Sequence, residues 1–369
     1  MTPPPIDLRR FAERVGSWLA SSGPESDVVV SCRVRLARNV DGLPFVARMD
    51  PRQASDLCAR LREELVAARL DGETQWVAMS DASPLLRVVL RERHLVSRDL
   101  APSEDGQAAL PGRAVAFGAS ETIAAMVNEE DHLRLQALAS GFDLSRAWRK
   151  AQDLDRMLEA RIPFAHTRML GYLTGCPTNV GTGLRASVMM HLPALSLVRS
   201  ELEKVFAAAQ RTGLAVRGMY GEGSRAAGDF YQISNQITLG RSEEQLVADL
   251  EALVPAIVRF ERDLRRMLAN ERRSALQDRI QRSQGLLRTA RALQTDQALA
   301  HLSTLRLGLE LGFLTEPKLA LLNQLGVQAQ KGHVQALQQE ETGTTLVEAS
   351  ERDRMRASLL RQRLGARTS

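Results

Sequence analysis

The run NEEDH, residues 128–132, sets Glu129, Glu130 and Asp131 in succession before His132. Such a run is most often a solvated turn, and with His132 it could also offer ligands to a metal. A further reading is a carboxylate that grips a cationic substrate. A second acid, Glu222, stands in the glycine-rich stretch GEGSRAAG. Cys176 opens another loop, in which a proline and a Gly/Thr-rich turn lead on to Arg185. The loop reads either as a reactive thiol beside an anion site or as an ordinary turn between apolar elements. Thiolate is the reactive form, and neighbouring guanidiniums would lower the thiol pKa. A guanidinium substrate, with a pKa above about 12, needs a fixed base and an orienting anion to become a nucleophile. Two glutamates and a thiolate would supply both.

Arginine is the second chemical signal. Of 49 basic residues four are lysine (Lys150, Lys204, Lys318, Lys331), which leaves 45 arginines. GC-rich coding is the ordinary explanation for such a bias. The chain has no G-x-x-x-x-G-K-[ST] loop, so nucleotide phosphates would have to be held without a P-loop lysine. Arginine's planar fork suits phosphate oxygens. Arg33 and Arg35 alternate in SCRVR and can share one strand face. Arg134, Arg185 and Arg217 each lie next to a turn signal. These five fit solvated strand edges and a polyphosphate cradle equally well.

These residues must be positioned by a mixed set of elements. Residues 7–19 read as a short amphipathic helix and 27–34 as a β-branched strand. Residues 51–71 carry Leu57, Leu61, Leu65 and Leu70 at helical spacing. RAVAFG, ETIAAMVN and HLRLQAL read as three strands, followed by a helix over about 143–161. Residues 187–212 are expected to form a helix stopped by Gly213. LAVRGMYG and DFYQISNQITLG read as strands either side of the glycine loop. The expectation is an α+β catalytic domain over 26–255, its sheet largely antiparallel and flanked by helices, after an extension over 1–25. From residue 256 the character changes: 256–336 are Leu/Ala/Arg/Gln-rich, the polar stretch QQEETGTTLVEASE follows, and 256–369 are expected to form an all-helical domain ending in the basic helix RDRMRASLLRQRL.

At 369 residues and 40.7 kDa the chain can hold one large core or two domains. Its 44% apolar and 25% charged residues fit a soluble globular protein. No apolar run nears the roughly 20 residues of a membrane span. The N-terminus lacks the apolar core of a secretory signal. Three cysteines (Cys32, Cys58, Cys176) make neither a disulfide framework nor a paired zinc spacing, so a reducing cytoplasm is expected. The net charge of +5 invites a nucleic-acid role, but 4% aromatic residues give no stacking platform.

In order along the chain, SCRVRLARN, NEEDHLRLQ, YLTGCPTNVGTGLRASVM and VRGMYGEG resemble the phosphagen (guanidino) kinases. The closer resemblance is to the bacterial protein arginine kinases, dense over about 24–255 and returning at RDRMRA, 352–357. It implies ATP as phosphoryl donor, with Mg2+ held mainly through phosphates and water. By position it implies nucleotide contacts at Ser31, Cys32, Arg33, Val34 and Arg35, at His94 and at Arg134. A second group is Arg185, Ala186, Ser187, Val188 and Met189, and a third Arg217, Gly218, Met219, Tyr220, Gly221 and Glu222. Glu130 matches the glutamate that accepts the guanidinium proton, Glu222 its partner, and Cys176 the thiolate beside them. Cys32 departs from the usual Ser or Thr, one small residue for another.

RDxxRA matches the phosphoarginine-binding motif of that branch, at Arg352, Asp353, Arg356 and Ala357. The resemblance further implies a homodimer formed through the helical tail, protein substrates with exposed arginines, and an activator and protease or chaperone machinery as partners in stress response. Small-guanidine kinases place a helical domain ahead of the catalytic one, and with SCRVR starting at Ser31 none is expected here. Kinase action on free arginine and a non-catalytic phosphoarginine-binding module are the competing functions. Glu130, Cys176 and Glu222 speak against the latter.

Overall fold

The computed structural model describes residues 6–102, 110–218, 227–338 and 346–365. Near the N-terminus the amphipathic segment splits into helix α1 (Leu8–Glu13), capped by the Asp7 side chain, and a single 3-10 turn at Ser17–Leu19. Strand β1 (Val29–Arg38) is longer than the sequence suggested. Helix α2 (Pro51–Ala67) starts at an Asp50 capping box and buries Leu57, Leu61 and Leu65 on one face. Strand β2 (Gln75–Ala78) and helix α3 (Pro84–Glu92) follow. The three foreseen strands are β3 (Ala114–Phe117), β4 (Ile123–Val127) and β5 (Leu133–Ser140). Helix α4 (Leu144–Glu159) is capped by Asp143.

A two-stranded hairpin, β6 (His166–Thr167) and β7 (Gly171–Tyr172), leads into the Cys176 loop. The expected helix over 187–212 is half strand. Leu184–His191 forms β8, and helices α5 (Pro193–Leu197) and α6 (Arg199–Arg211) follow. Two features of the sequence explain the correction. LRASVMMH alternates core and site-facing side chains at a period of two, and Pro193 takes the first helical turn, where its missing N–H costs nothing. Strands β9 (Leu214–Gly218) and β10 (Phe230–Asn235) complete the sheet; Met219, Tyr220, Gly221 and Glu222 lie outside the described residues.

The eight strands run in the order β2-β3-β4-β5-β1-β8-β10-β9, every neighbouring pair antiparallel. Cys32, Val34, Leu36, Ala186 and Val188 point from one face into the main core, against apolar positions of α2, α4 and α6. Helix α7 (Glu243–Glu271) passes through residue 255 and buries Leu250, Val254 and Ile257 in the same core. Then come α8 (Arg273–Thr289), α9 (Thr295–Glu310), α10 (Leu319–Gln328), α11 (Lys331–Gln338) and α12 (Ala349–Gly365). Their own cluster includes Leu287, Leu302, Leu325, Ala357 and Leu360.

The other face of the sheet is covered in two places. At the β3–β4 end Leu90 and Leu95 pack on Phe117 and Met126. Farther along, Val327 of α10 joins Trp18, Val30 and Leu138. Between these two covers the sheet presents its arginines.

Candidate active site

The NEEDH turn is not solvated. Asn128, Glu129, Asp131 and His132 are all buried, and Glu130 alone is exposed. Asn128 adopts a left-handed conformation (φ 53°) and donates through its amide to the Ala54 and Gly112 carbonyls. His132 accepts the Val40 N–H on Nδ1 at 2.9 Å and donates from Nε2 to the Pro44 carbonyl at 2.9 Å. Both ring nitrogens are thereby committed, which removes the metal reading. Among the described residues no group of three or more His, Cys, Asp or Glu could hold a metal ion.

Asp131 binds two segments at once. Its Oδ1 accepts the Asn39 side-chain amide at 2.6 Å and the Gly175 backbone N–H at 2.6 Å. A Cβ on Gly175 would lie 2.8 Å from the Glu130 carbonyl, so only glycine allows this approach. The Cys176 loop therefore lies directly against the Glu130 turn. The Cys176 thiol lies near the Glu130 carboxylate, stands 3.1 Å from the Thr178 hydroxyl and is partly exposed, and Asn179 of the same loop donates its amide to Glu130 Oε2 at 3.4 Å. Burial first, then the neighbouring Asp131 and Glu129 charges, raise the Glu130 pKa, and Arg134 and the thiol hydrogen bond work against that rise. The far side of the loop is held by Thr238, whose hydroxyl lies 3.0 Å from the Thr178 carbonyl and 2.7 Å from that of Val180.

Strand register decides which of the other residues reach this site. Arg35 on β1 faces Gln136 on β5 and Arg185 on β8; Arg33 faces Ser187; Ala37 faces Arg134. Gln232 on β10 lies between Met189 and Arg217. Opposed residues share a face, so Ser31, Arg33, Arg35, Arg134, Arg185, Ser187, Met189 and Arg217 all project from one side. Cys32, Val34, Ala186 and Val188 project into the core from the other and are not brought to the site. Gly218 ends β9 at the same edge as Arg217.

Among the described residues this face carries more arginine than acid. Glu129 receives Arg134 Nη1 at 2.8 and 2.7 Å, and Arg33 reaches only the neutral Gln232 amide oxygen at 3.0 Å. Arg35 Nε is buried with no partner among the described residues. Burial and the repulsion of Arg134 and Arg185 push Arg33 down to about 10. Burial and the surrounding arginines push Arg35 well below the ordinary arginine range. Arg185 is lowered by burial, Arg217 and Arg134, with Cys176 and Glu130 near enough to oppose the shift.

His94 follows α3 in a left-handed conformation (φ 58°), with its ring edge-on to Trp18. Burial, Arg33 and Arg35 push it down to about 3, so it stays neutral. Its Nε2 has no partner among the described residues. It borders a largely apolar cavity of about 60 Å³ that Leu138, Met189, Phe230 and Leu302 also line.

A family model for the ATP:guanido phosphotransferase C-terminal catalytic domain matches residues 57–264. A model for the protein-arginine kinase McsB C-terminal domain matches 273–369. The protein-arginine kinase of Symbiobacterium thermophilum is 44% identical over 352 residues, 95% of this chain and 96% of that one. This chain belongs to the protein-arginine kinases. That of Bacillus subtilis is 40% identical over 97% of this chain and 96% of its own. Among solved structures, a lombricine kinase matches at TM-score 0.55 and 26% identity, covering 71% of this chain and 72% of that one. A duplicated taurocyamine kinase from Schistosoma mansoni, with bound transition state analog components, matches at TM-score 0.58 and 27% identity. The match covers 71% of this chain and 36% of that duplicated one.

In this protein-arginine kinase chain the tail motif is partly spent on structure. Arg356 is buried and donates from Nη1 to the Leu293 carbonyl at 2.7 Å and to Asp353 at 2.6 Å, and from Nε to the Ala329 carbonyl. Ala357 is core. Arg352 remains partly exposed and touches the Val347 carbonyl. The two arginines share a helix side, as their spacing predicts, but only Arg352 is presented to solvent. Asn39, Gly175 and Gln232 are site residues that the sequence does not single out. Asp131 was visible only as one acid in a run; the others gave no signal, because their roles arise from contacts between distant segments.

Proposed function

We propose that this chain is an ATP-dependent kinase that transfers the γ-phosphoryl group to the guanidinium of arginine side chains in proteins. The observation that carries the proposal is the convergence of five arginines, one with an orphaned buried Nε, on the sheet face beside the paired Glu130 and Cys176. Arg33 and Arg35, with no acidic partner among the described residues, are costly without an anion, and the nucleotide phosphates would be that anion. The nucleotide phosphates would run over Arg33, Arg35, Arg134, Arg185 and Arg217. Mg2+ would enter on the nucleotide, held by phosphate oxygens and water, and supply charge neutralisation across the transferring group.

In the reaction a nitrogen of the acceptor guanidinium forms a bond to the γ-phosphorus as the bond to the ADP oxygen breaks. The proton leaving that nitrogen passes to Glu130, whose raised pKa makes it a better acceptor than an ordinary glutamate. Cys176 and Glu222 are assigned to orient the guanidinium, and the arginines to stabilise charge on the phosphoryl oxygens. Rate enhancement then comes mainly from positioning and electrostatics.

We assign the chain to the cytoplasm, with a tail that dimerises and reads phosphoarginine through Arg352 and Asp353. No described helix is long and apolar enough to cross a membrane. The test offers ATP and Mg2+ with free arginine, an arginine peptide and its lysine counterpart at equal concentration. Transfer to the arginine peptide alone is expected. Preference for free arginine would make this a small-guanidine kinase.

A further inference from the structure

Exposed large apolar side chains are not scattered evenly over this protein. Twelve occur among the described residues, and six of them sit on segments tied to the two catalytic loops. Met169 (91% exposed) and Leu170 (45%) form the tip of the β6–β7 hairpin. Ile237 (55%) and Leu239 (49%) flank Thr238, whose side chain holds the Cys176 loop. Leu43 and Phe45 flank Pro44, whose carbonyl receives His132 of the Glu130 turn.

The hairpin and the 237–240 segment are joined through that same loop. Tyr172 pairs with Gly181 in both directions, at 2.8 and 3.3 Å. A Cβ on Gly181 (φ 112°) would lie 2.3 Å from the Thr238 carbonyl, so glycine is required for the three strands of chain to meet. Met169, Leu170 and Leu239 share one groove of about 230 Å³ with Tyr172 and Arg241. His166 and Glu243 also border the groove, and Arg241 is paired with Asp249 at 2.7 Å.

We infer that Met169, Leu170 and Leu239 form a docking shelf for apolar residues flanking the acceptor arginine of an extended polypeptide. The inference rests on the reading of this site as a protein-arginine kinase. An arginine presented on a chain can reach Glu130 and Cys176 only if its flanking residues cross the rim of these loops, and here that rim exposes Met169, Leu170 and Leu239. Exposed apolar surface of this kind marks an interaction site, and its continuity with the Cys176 loop through Thr238 assigns it to the acceptor. Apolar flanking residues belong to buried segments of folded proteins, so the shelf favours unfolded acceptors.

The test compares two peptides with one central arginine, flanked by leucine and phenylalanine in the first and by serine and glycine in the second. The enzymes are the wild type, Met169→Ser/Leu170→Ser and Leu239→Ser. For the apolar-flanked peptide Leu239→Ser should raise KM about tenfold, the loss of one buried apolar side chain, and the double variant at least as much. The kcat, the KM for ATP and the kinetics of the polar-flanked peptide should not change. Sedimentation of each variant reports its oligomeric state. Equal KM for both peptides in the wild type, or unchanged KM in both variants, overturns the shelf while the kinase assignment stands. A shift in oligomeric state with unchanged peptide kinetics also overturns it and gives the face to a second copy. Phosphorylation of neither peptide by the wild type overturns the kinase assignment, and the shelf with it.

Discussion

Asp131 accepts the backbone N–H of Gly175 at 2.6 Å, and through this hydrogen bond the turn that carries Glu130 is fixed to the loop that carries Cys176. The same oxygen holds Asn39 at 2.6 Å, so the end of β1 joins the assembly. Asp131→Ala removes the acceptor of the Gly175 N–H and leaves the Asn39 amide with the Leu173 carbonyl alone, which costs about 1 kcal/mol of stability. The larger effect is expected in kcat, reduced on the order of 100-fold, with the ATP dissociation constant within about twofold of wild type. Steady-state kinetics with nucleotide titration check this. Equal losses in nucleotide affinity and kcat would mean that Asp131 supports the fold generally.

Glu130→Gln and Cys176→Ala open no cavity, since Glu130 is exposed and Cys176 partly so. Each should retain the thermal midpoint and ATP binding while losing about 10²–10⁴-fold in kcat. Near-normal turnover would remove these residues from the chemistry.

The pH profile follows from the Glu130 environment. The ionised carboxylate is the working form, and its pKa is raised by burial, Asp131 and Glu129. Activity should therefore fall, as pH drops, at a higher pH than an ordinary glutamate would give. Glu130→Gln should lack that acid limb in its residual rate. An unshifted limb in the wild type would contradict the assignment.

Stability should also depend on pH through His94. Its pKa is about 3 in the folded chain against 6.5 as a free side chain, so between these values the unfolded state binds the extra proton. The folded state thus holds a stabilising contribution that is complete above about 6.5 and lost progressively as pH falls toward about 3. Urea midpoints should drop between neutral and mildly acidic pH, and less steeply in His94→Gln. Parallel curves would show that His94 is protonated in the folded chain.

The two arginines of the tail motif should separate. Arg356→Ala removes the partner of the Leu293 and Ala329 carbonyls and of Asp353, and should destabilise by about 2–4 kcal/mol. Arg352→Ala should keep the unfolding midpoint and weaken binding of a phosphoarginine peptide about tenfold or more. Equal loss of stability in both would make the motif a structural clamp alone.

Much of this was legible in the sequence because the relevant signals are local. Helix α2 was readable from its leucine spacing, and strands β3–β5 from short apolar runs set off by glycine and charge. Residue types marked the Cys176 loop and the NEEDH run only as candidates, with an ordinary turn open for each, and the resemblance gave them their roles. Strand β8 was misread because a run rich in Ser, Met and Leu suits helix and strand alike, and its pairing with β1 and β10 decides the matter. The burial of NEEDH was also missed, because it depends on Asn39, Pro44 and Gly175 arriving from elsewhere. Register likewise split the SCRVR and RASVM stretches between site and core, a distinction that segment-wise matching cannot make. Arg356 was read as a ligand although its carbonyl partners lie 63 and 27 residues away.

The most direct measurement incubates the purified chain with ATP, Mg2+ and an unfolded acceptor protein, and locates the transferred phosphate by mass spectrometry before and after mild acid. Acid-labile phosphate on arginine side chains is predicted, absent when Glu130→Gln replaces the wild type. Acid-stable phosphate on serine, threonine or tyrosine, or arginine phosphate undiminished in Glu130→Gln, would contradict it.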